Sequence, residues 1–291
     1  MFEILLSLAA SWAGATEPGA TLRLALPTQD VQLDPHKYED MYSMVIINQV
    51  YSRLFRYSPD GQVRTDAVTS WEVSPDKTIY TFKLGDLKFS DGTEITASHV
   101  ANSLKRIFLL KASIASDLSL IAGAKEALKT GKPERLQVAA LDGRTLRIQT
   151  SAPTSLLLYL LAVPDCAILK LDRPDQKIDF KSTQGPFSGT YKITAISTSE
   201  ISLEKWRPSA LESSRPPARA RIQLHNRVSP KLAAKGEISD TSSFMTFDDQ
   251  KSPFENLKGW RAVISEASNE RFLVLNPKAL PENVRQWLSS K

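Results

Sequence analysis

The run of residues 71–108 constrains the fold more than any other part of this 291-residue chain. Its first part predicts two antiparallel strands joined by a turn, in which Pro75 suits the second position of a type I turn. The neighbouring serine and aspartate side chains can bond back to the backbone. In the second strand Tyr80, Phe82 and Leu84 recur at every second position. This period is typical of a strand with one buried face.

The second part of the run predicts a tight turn and then a helix. Gly92 can adopt the positive φ that such a turn requires, and Thr96 is a candidate N-cap. An apolar stripe marks the helix face that we expect to be buried: Val100, Leu104, Ile107 and Phe108. Lys105 and Arg106 lie near the negative end of the same helix, where cations are favourable.

Composition narrows the possible classes of protein. The length allows one large or two modest domains. The net charge is +5, but the basic residues are scattered and no zinc, RNA-recognition or helix-turn-helix pattern occurs, so nucleic-acid binding is not expected. Cys166 is the only cysteine, which excludes an internal disulfide. Its apolar neighbours favour a buried, inert thiol.

Several motifs resemble those of the family 5 extracytoplasmic solute-binding proteins, the peptide, dipeptide and nickel receptors of ABC importers. The family order is matched by Trp71, Tyr-Thr-Phe-Lys-Leu at 80–84, Phe-Ser-Asp-Gly-Thr at 89–93 and Thr-Ala at 96–97. Leu-Asp-Pro-His at 33–36 matches a further motif. His99 stands where the family usually has an acid, so we expect a weaker helix start.

This resemblance implies an α+β fold of the periplasmic binding protein type II kind, with a first lobe that carries an inserted subdomain and a truncated second lobe. We expect the main lobe at 16–55 and 152–270, and the inserted subdomain at 56–151. Residues 271–291 would begin the missing second lobe, since the apolar stripe there has no later sequence to cover it.

The resemblance also implies a ligand-binding segment. In such receptors the residues just before the Leu-Asp-Pro-His motif line the cleft and meet the ligand largely through their backbone. In this chain they are Gln29, Asp30, Val31 and Gln32. Asp30 is the only charged member. We expect His36 to be a loop residue bonded to a neighbour, because no other histidine has metal-ligand spacing with it.

Catalysis is not expected from this sequence. It has no Gly-x-Ser-x-Gly, His-Glu-x-x-His or phosphate-loop motif, and its three histidines are scattered. No cofactor or metal is expected either. Residues 207–221 are rich in Arg, Pro and Ser, which favours a solvated loop over an anion-binding one.

The first residues indicate export. Residues 4–13 are apolar, and Ala-Gly-Ala at 13–15 has the small-x-small form of a signal-peptidase site. We therefore expect a signal peptide at 1–15 and a periplasmic location, although no positive charge precedes the apolar run. That run is shorter than the ~20 apolar residues that span a bilayer.

Further elements follow from local patterns. We expect a helix at 42–54, helical structure at 113–131 with Gly131 as its C-cap, and a hairpin at 138–149 around Asp-Gly. Residues 156–161 predict a short buried helix. Strands are expected at 21–26, 201–206 and 222–224.

The leading functional hypothesis is non-catalytic solute binding, with peptides as the expected solute. Its partners would be a peptide or other small solute and the permease of an ABC importer, without nucleic acid and without a membrane span after signal cleavage. We expect a monomer. The alternative is a degenerate one-lobe derivative that acts as a protein-interaction or regulatory module, suggested by the missing lobe, by His99 and by Ser239 in place of a family aspartate.

Overall fold

Three sheets and four α-helices organise the part of the chain that the computed structural model describes, residues 21–58, 61–183, 185–208, 217–225, 231, 235 and 240–241. The helices are α1 (Met41–Val50), α2 (Ala97–Leu109), α3 (Ala124–Thr130) and α4 (Leu157–Leu160). The strands are β1 (Thr21–Leu26), β2 (Phe55–Tyr57), β3 (Val63–Thr65), β4 (Val68–Val73), β5 (Ile79–Leu84), β6 (Val138–Ala140), β7 (Thr145–Gln149), β8 (Tyr191–Ile196), β9 (Glu200–Lys205), β10 (Arg219–Leu224) and β11 (Asp240–Thr241).

The largest sheet has five strands in the order β11-β1-β10-β9-β8. Strand β1 runs parallel to both β10 and β11, while β9 is antiparallel to its two neighbours. Alternate residues such as Leu22, Leu24 and Ile222 point into one core, where they meet α1 residues that include Ile46 and Val50. Burial of this apolar face holds α1 against the sheet.

A second sheet has the order β4-β5-β7-β6, and α2 packs against it. Tyr80, Phe82 and Leu84 of β5 are buried, whereas Thr81 is half-buried and Lys83 is exposed. The strand pair and its burial pattern are therefore confirmed. The core of this sheet is a separate cluster that draws on residues between Leu54 and Ile168.

The predicted turns and the predicted N-cap of α2 are also confirmed. Ser74 accepts a hydrogen bond from the N–H of Ile79, and Gly92 has φ +86°. The side chain of Thr96 accepts from the N–H of His99, and the His99 ring nitrogen accepts from the N–H of Thr96 at 3.0 Å. The histidine thus completes the capping box that an acid would otherwise close, although it brings no negative charge to the helix N-terminus.

Two helix predictions were wrong in extent. The helix expected at 42–54 ends at Val50, because Tyr51 is extended and turns its ring into the core. The stretch 113–131 is broken into two 3₁₀ turns and the short α3. Gly123 adopts φ +83° and Ile121 bridges to Thr150, which interrupts the helical hydrogen bonds. Gly131, with φ +69°, is the expected C-cap.

The remaining local predictions had mixed outcomes. The hairpin at 138–149 and the strands at 21–26 and 201–206 are confirmed, the last of them shifted by one residue. In the stretch 156–161 Leu157 and Leu161 are buried, but Leu156 and Tyr159 are exposed. Strand β10 begins at Arg219, so the end of the predicted loop 207–221 is strand.

Three predictions concern residues that the structure does not describe. The signal peptide at 1–15, Ser239 and the second-lobe start at 271–291 lie outside the described residues. Within the described ranges, every helix is too short or too polar to cross a bilayer.

Replacing Gly189 with alanine is expected to lower the free energy of unfolding by about 1–3 kcal/mol, since it overpacks a rigid site. A Cβ there would lie 2.4 Å from the Gln49 carbonyl oxygen and 2.6 Å from the Tyr51 nitrogen, which are backbone atoms at the end of α1. Urea denaturation would measure the loss. Gly143→Ala is the matched control, because a Cβ at Gly143 meets nothing within 4 Å; equal stability of the two variants would contradict this packing argument.

Candidate functional site

The carboxyl ends of β1 and β10 form one edge of the five-stranded sheet. The two strands are parallel and in register from Thr21 with Arg219 to Leu26 with Leu224, and the N–H of His225 bonds to the Leu26 carbonyl. Ligands of open sheets with parallel strands bind in the crevice outside such carboxyl ends. The residues that follow β1 at this edge are therefore a candidate binding site.

The structure brings the four predicted site residues to this edge, just after β1. Gln29, Asp30 and Gln32 are exposed, and Val31 is half-buried. Their backbone belongs to neither a helix nor a strand. Among the described residues, no hydrogen bond reaches Gln29 through its backbone or its side chain. This stretch, residues 29–32, is called the edge segment below.

Side chains from the start of α1 hold the edge segment in place. The N–H of Gln32 donates to the Ser43 hydroxyl oxygen at 2.8 Å, and the Ser43 hydroxyl in turn donates to Asp40. Asp40 is the N-cap of α1 and also accepts from the N–H of Ser43. Asp30 accepts from the N–H of Val31 at 2.9 Å through its own carboxylate. The far end of the segment is thus fixed. At its beginning the Thr28 hydroxyl donates to the Asp30 carbonyl oxygen at 2.7 Å, whereas the N–H groups of Gln29 and Asp30 have no partner among the described residues.

A buried ion pair lies directly behind the segment. Arg106 lies on α2. Its two terminal guanidinium nitrogens, Nη1 and Nη2, donate to the two carboxylate oxygens of Asp34 at 2.8 and 2.7 Å. Arg106 also lies 2.8 Å from the His36 Nδ1 atom, and the N–H of His36 donates to Asp34. The ring of Phe180 covers the guanidinium at 5.4 Å. This bidentate pair joins the loop after β1 to the second core.

Burial and the neighbouring charges determine the protonation states of Asp34 and His36 beside Arg106. Burial alone would raise the pKa of the Asp34 carboxyl, but the hydrogen bonds and the positive charge of Arg106 outweigh burial and lower it. Burial, followed by the charge of Arg106, lowers the pKa of His36 to about 3. His36 is therefore neutral, and Nδ1 accepts from the guanidinium while Nε2 carries the proton.

The expectation for His36 is confirmed, since it is a loop residue bonded to its neighbours. The described residues hold no group of three or more His, Cys, Asp or Glu side chains that could bind a metal ion. Cys166 is buried as expected, and burial raises the pKa of its thiol. Such a thiol is protonated and poorly nucleophilic.

Sequence reasoning missed the role of Arg106. The position suggested only a cation near the negative end of a helix, whereas the structure shows a buried residue bound to Asp34, 72 positions away in sequence. One local signal existed, because Arg106 directly precedes the buried Ile107 and Phe108 and lies near the apolar stripe. That signal could not identify the partner.

Comparisons with known proteins show which family model and which characterised proteins this sequence resembles. The family model described as bacterial extracellular solute-binding proteins, family 5 middle, matches residues 62–289. The chain is 29% identical over 192 residues to the probable D,D-dipeptide-binding periplasmic protein DdpA of Escherichia coli strain K12, across 62% of this chain and 34% of DdpA. It is 34% identical over 138 residues to the periplasmic oligopeptide-binding protein OppA of the same strain, across 45% of this chain and 25% of OppA.

Solved structures resemble the fold. The murein tripeptide binding protein MppA of Escherichia coli matches with a TM-score of 0.69 at 22% identity, across 77% of this chain and 46% of MppA. OppA of Burkholderia pseudomallei matches with a TM-score of 0.69 at 19% identity, across 79% of this chain and 47% of that protein. The chain therefore spans a quarter to a third of these curated relatives and just under half of these solved structures.

Proposed function

We propose, on the premise that the chain belongs to the family 5 bacterial extracellular solute-binding proteins, that it captures a peptide for an ABC importer. The predicted fold class is confirmed, because the solved neighbours are type II periplasmic binding proteins and the described residues form an α+β structure. The printed names of the relatives include dipeptide-, murein peptide-, oligopeptide- and glutathione-binding proteins. Peptides are the ligand class that these names share.

The exposed edge segment is the observation that supports this proposal. Gln29 and Asp30 lie at the carboxyl edge of β1 with their backbone N–H groups unpaired among the described residues. An extended peptide can pair with such a backbone in the manner of an added strand. Such pairing is independent of ligand side chains, so it suits receptors of varied peptides. The ligand-binding residues proposed here are Gln29, Asp30, Val31 and Gln32.

Two separate cores support a division of this kind, although the second core also takes in residues at 54–55 and 157–168, which the proposed bounds assign to the main lobe. One core draws on residues up to Tyr51 and from Ala167 onward, and the other on residues between Leu54 and Ile168. We propose a main lobe at 16–55 and 152–270 with an inserted subdomain at 56–151. The remaining parts of the proposal rest on the family: periplasmic location after loss of a signal peptide, a permease as partner, a monomeric state and no catalysis.

Isothermal titration calorimetry on the full chain tests capture. The probes are a pool of dipeptides, a pool of tripeptides and glutathione, each titrated separately at matched ionic strength. Saturable heat with at least one peptide pool is the expected result. No heat with any of them, from a sample whose circular dichroism shows folded protein, would refute peptide capture by this chain.

The edge segment itself is tested by a matched pair of substitutions at one position. Gln29→Pro removes a backbone N–H, whereas Gln29→Ala removes only the side chain. We expect the proline variant to lose roughly 10-fold in peptide affinity, about the worth of one hydrogen bond, and the alanine variant to bind as the wild type does. Peptide affinities that are unchanged in Gln29→Pro would place the binding site elsewhere.

A further inference from the structure

Three arginines lie close enough to one buried carboxylate, Asp66, for their charges to lower its pKa. The backbone N–H of Arg53 and the Nη2 atom of Arg56 donate to the same oxygen of Asp66, at 2.9 and 3.0 Å, while the Arg53 guanidinium donates to the amide oxygen of Asn48. The Nη2 atom of Arg207, from the chain that follows β9, donates to the Ser52 hydroxyl, which lies 3.5 Å from the other Asp66 oxygen. We call these three arginines with Asp66 the arginine cluster; it shares no residue with the edge segment.

The arginine cluster is buried. Arg53 is 5% exposed and the side chains of Arg56 and Asp66 are 10% and 1% exposed, while Arg207 is half-buried. Charges in such a place are normally paired, because an unpaired buried ion costs several kcal/mol. Burial, followed by the neighbouring charge of Arg56, lowers the pKa of Arg53 to about 10. Even so lowered, the pKa of Arg53 leaves its guanidinium charged near neutral pH.

The charges of the cluster do not balance. Three guanidiniums carry +3 and Asp66 carries −1, which leaves +2. A further carboxylate on which the charge of Arg53 acts is Asp165, which accepts a hydrogen bond from the Tyr38 hydroxyl at 2.7 Å. Burial raises the pKa of Asp165. Even with Asp165 ionised, a net charge of +1 remains, so one monovalent anion would neutralise the site.

The unpaired atoms around the cluster are all donors. Seven buried side-chain nitrogens lack a hydrogen-bond partner among the described residues. One is His36 Nε2, behind the edge segment, and the other six belong to the cluster or to residues that contact it: Asn48 Nδ2, Arg53 Nε, Arg56 Nε, Trp206 Nε1, Arg207 Nε and Arg207 Nη1. Asn48 belongs to the same network, because its amide oxygen accepts from Arg53. The Arg207 guanidinium also lies 5.7 Å from the ring of Trp206. Buried donors require acceptors, and an anion is the group that accepts from several donors at once.

We propose that the arginine cluster binds one small monovalent anion, of the size of chloride or acetate, which fastens the chain after β9 to the loop after α1. The six unpaired donors call for an acceptor, and the net positive charge of a buried site favours an acceptor that is an anion. The anion would contact Arg207 together with Arg53 or Arg56. Its role is structural, and it is separate from peptide capture at the edge segment.

Thermal unfolding in exchanged anions tests this proposal. The full chain is melted at constant ionic strength while sodium chloride, or in a second series sodium acetate, replaces sodium gluconate, whose anion is much larger than chloride or acetate. A ligand that binds only the folded state raises the midpoint in proportion to ln(1 + [L]/Kd). We expect at least one of the two anions to raise the midpoint by roughly 4–8 °C at 100 times its Kd.

The control separates this site from general salt effects. Arg207→Gln keeps a hydrogen-bonding side chain at the half-buried rim but removes a charge, and it is expected to abolish the response. Arg173→Gln removes an exposed guanidinium paired with Asp175 and is expected to keep it. A midpoint independent of both anions, or an unchanged response in Arg207→Gln, would overturn the proposal.

If Arg207→Gln fails to fold, a crystallographic measurement on the wild-type protein tests the proposal independently. Wild-type crystals soaked in sodium bromide are expected to give an anomalous peak within about 3.5 Å of nitrogens from at least two of the three arginines. A data set in which these side chains are ordered and no peak lies between them would refute the site.

Discussion

Replacing Arg106 with methionine is expected to lower the free energy of unfolding by about 3–5 kcal/mol, the usual cost of removing one partner from a buried ion pair. The substitution keeps the length of an apolar stem but leaves Asp34 without its two guanidinium hydrogen bonds at 3% exposure. It also removes the donor that faces His36 Nδ1. Urea denaturation followed by tryptophan fluorescence would measure the loss.

The neighbouring Lys105→Met is the matched control. Lys105 lies on the same helix, is half-buried, and forms no ion pair among the described residues. We expect its effect to stay within about 0.5 kcal/mol. The double variant Asp34→Asn with Arg106→Met should be more stable than the sum of the two single losses, since the charge that Arg106 compensates is then absent. Additive losses would mean that the pair contributes nothing beyond its separate packing.

The same ion pair explains why part of the site could be predicted from sequence and part could not. The edge segment was identified through the family resemblance of Leu-Asp-Pro-His at 33–36, which comes just after an alternating strand, and its binding role stays a prediction. The arginine that holds this loop comes from α2, and nothing in its local pattern specifies a partner. Long-range pairing depends on how the two cores meet, which local periodicity does not encode.

The fold shows the same division between local and long-range causes. The strands and turns of 71–108 were predictable because alternation, Pro75, Gly92 and Thr96 act within a few residues. The helix at 113–131 was wrong because Ile121 pairs with Thr150, a contact that is formed only when the chain returns. A glycine inside a helical pattern is tolerated in many helices, so Gly123 alone did not reveal the break.

The burial of basic residues did not follow from the sequence either. No prediction was made for the surroundings of Arg53 or Arg56, and Arg207 was expected in a solvated loop, yet Arg53 and Arg56 are buried and Arg207 is half-buried. Arginine is compatible with both settings, because its stem is apolar and its planar head pairs well with carboxylates. Composition therefore gives the total charge but not its placement.

Acid is expected to destabilise the protein because of His36. Burial, and then the charge of Arg106, lowers its pKa from 6.5 to about 3 in the folded state, whereas the unfolded chain binds the proton near the ordinary value. A lowered pKa contributes stability above the unfolded pKa, and this stability is lost as the pH falls toward the folded pKa. Between pH 6.5 and 4.5 we expect a loss of roughly 2–3 kcal/mol from this group.

Between pH 6.5 and 4.5 the aspartates whose pKa values are lowered, Asp34 and Asp66, keep most of their contributions, because these are lost below the unfolded value of 3.8. Asp165, whose pKa burial raises, acts in the opposite direction, so the slope assigned to His36 is the difference between the wild type and the histidine variants. His36→Asn keeps an acceptor near the position of Nδ1 but does not titrate, so its stability should be nearly flat across this range. His99→Asn is the control: burial also lowers the pKa of His99, but that ring is only partly buried. We expect His99→Asn to keep most of the wild-type slope in urea denaturation at several pH values. If His36→Asn loses stability as steeply as the wild type, His36 does not stay neutral behind the edge segment, and the charge arrangement around Arg106 is different from the one described.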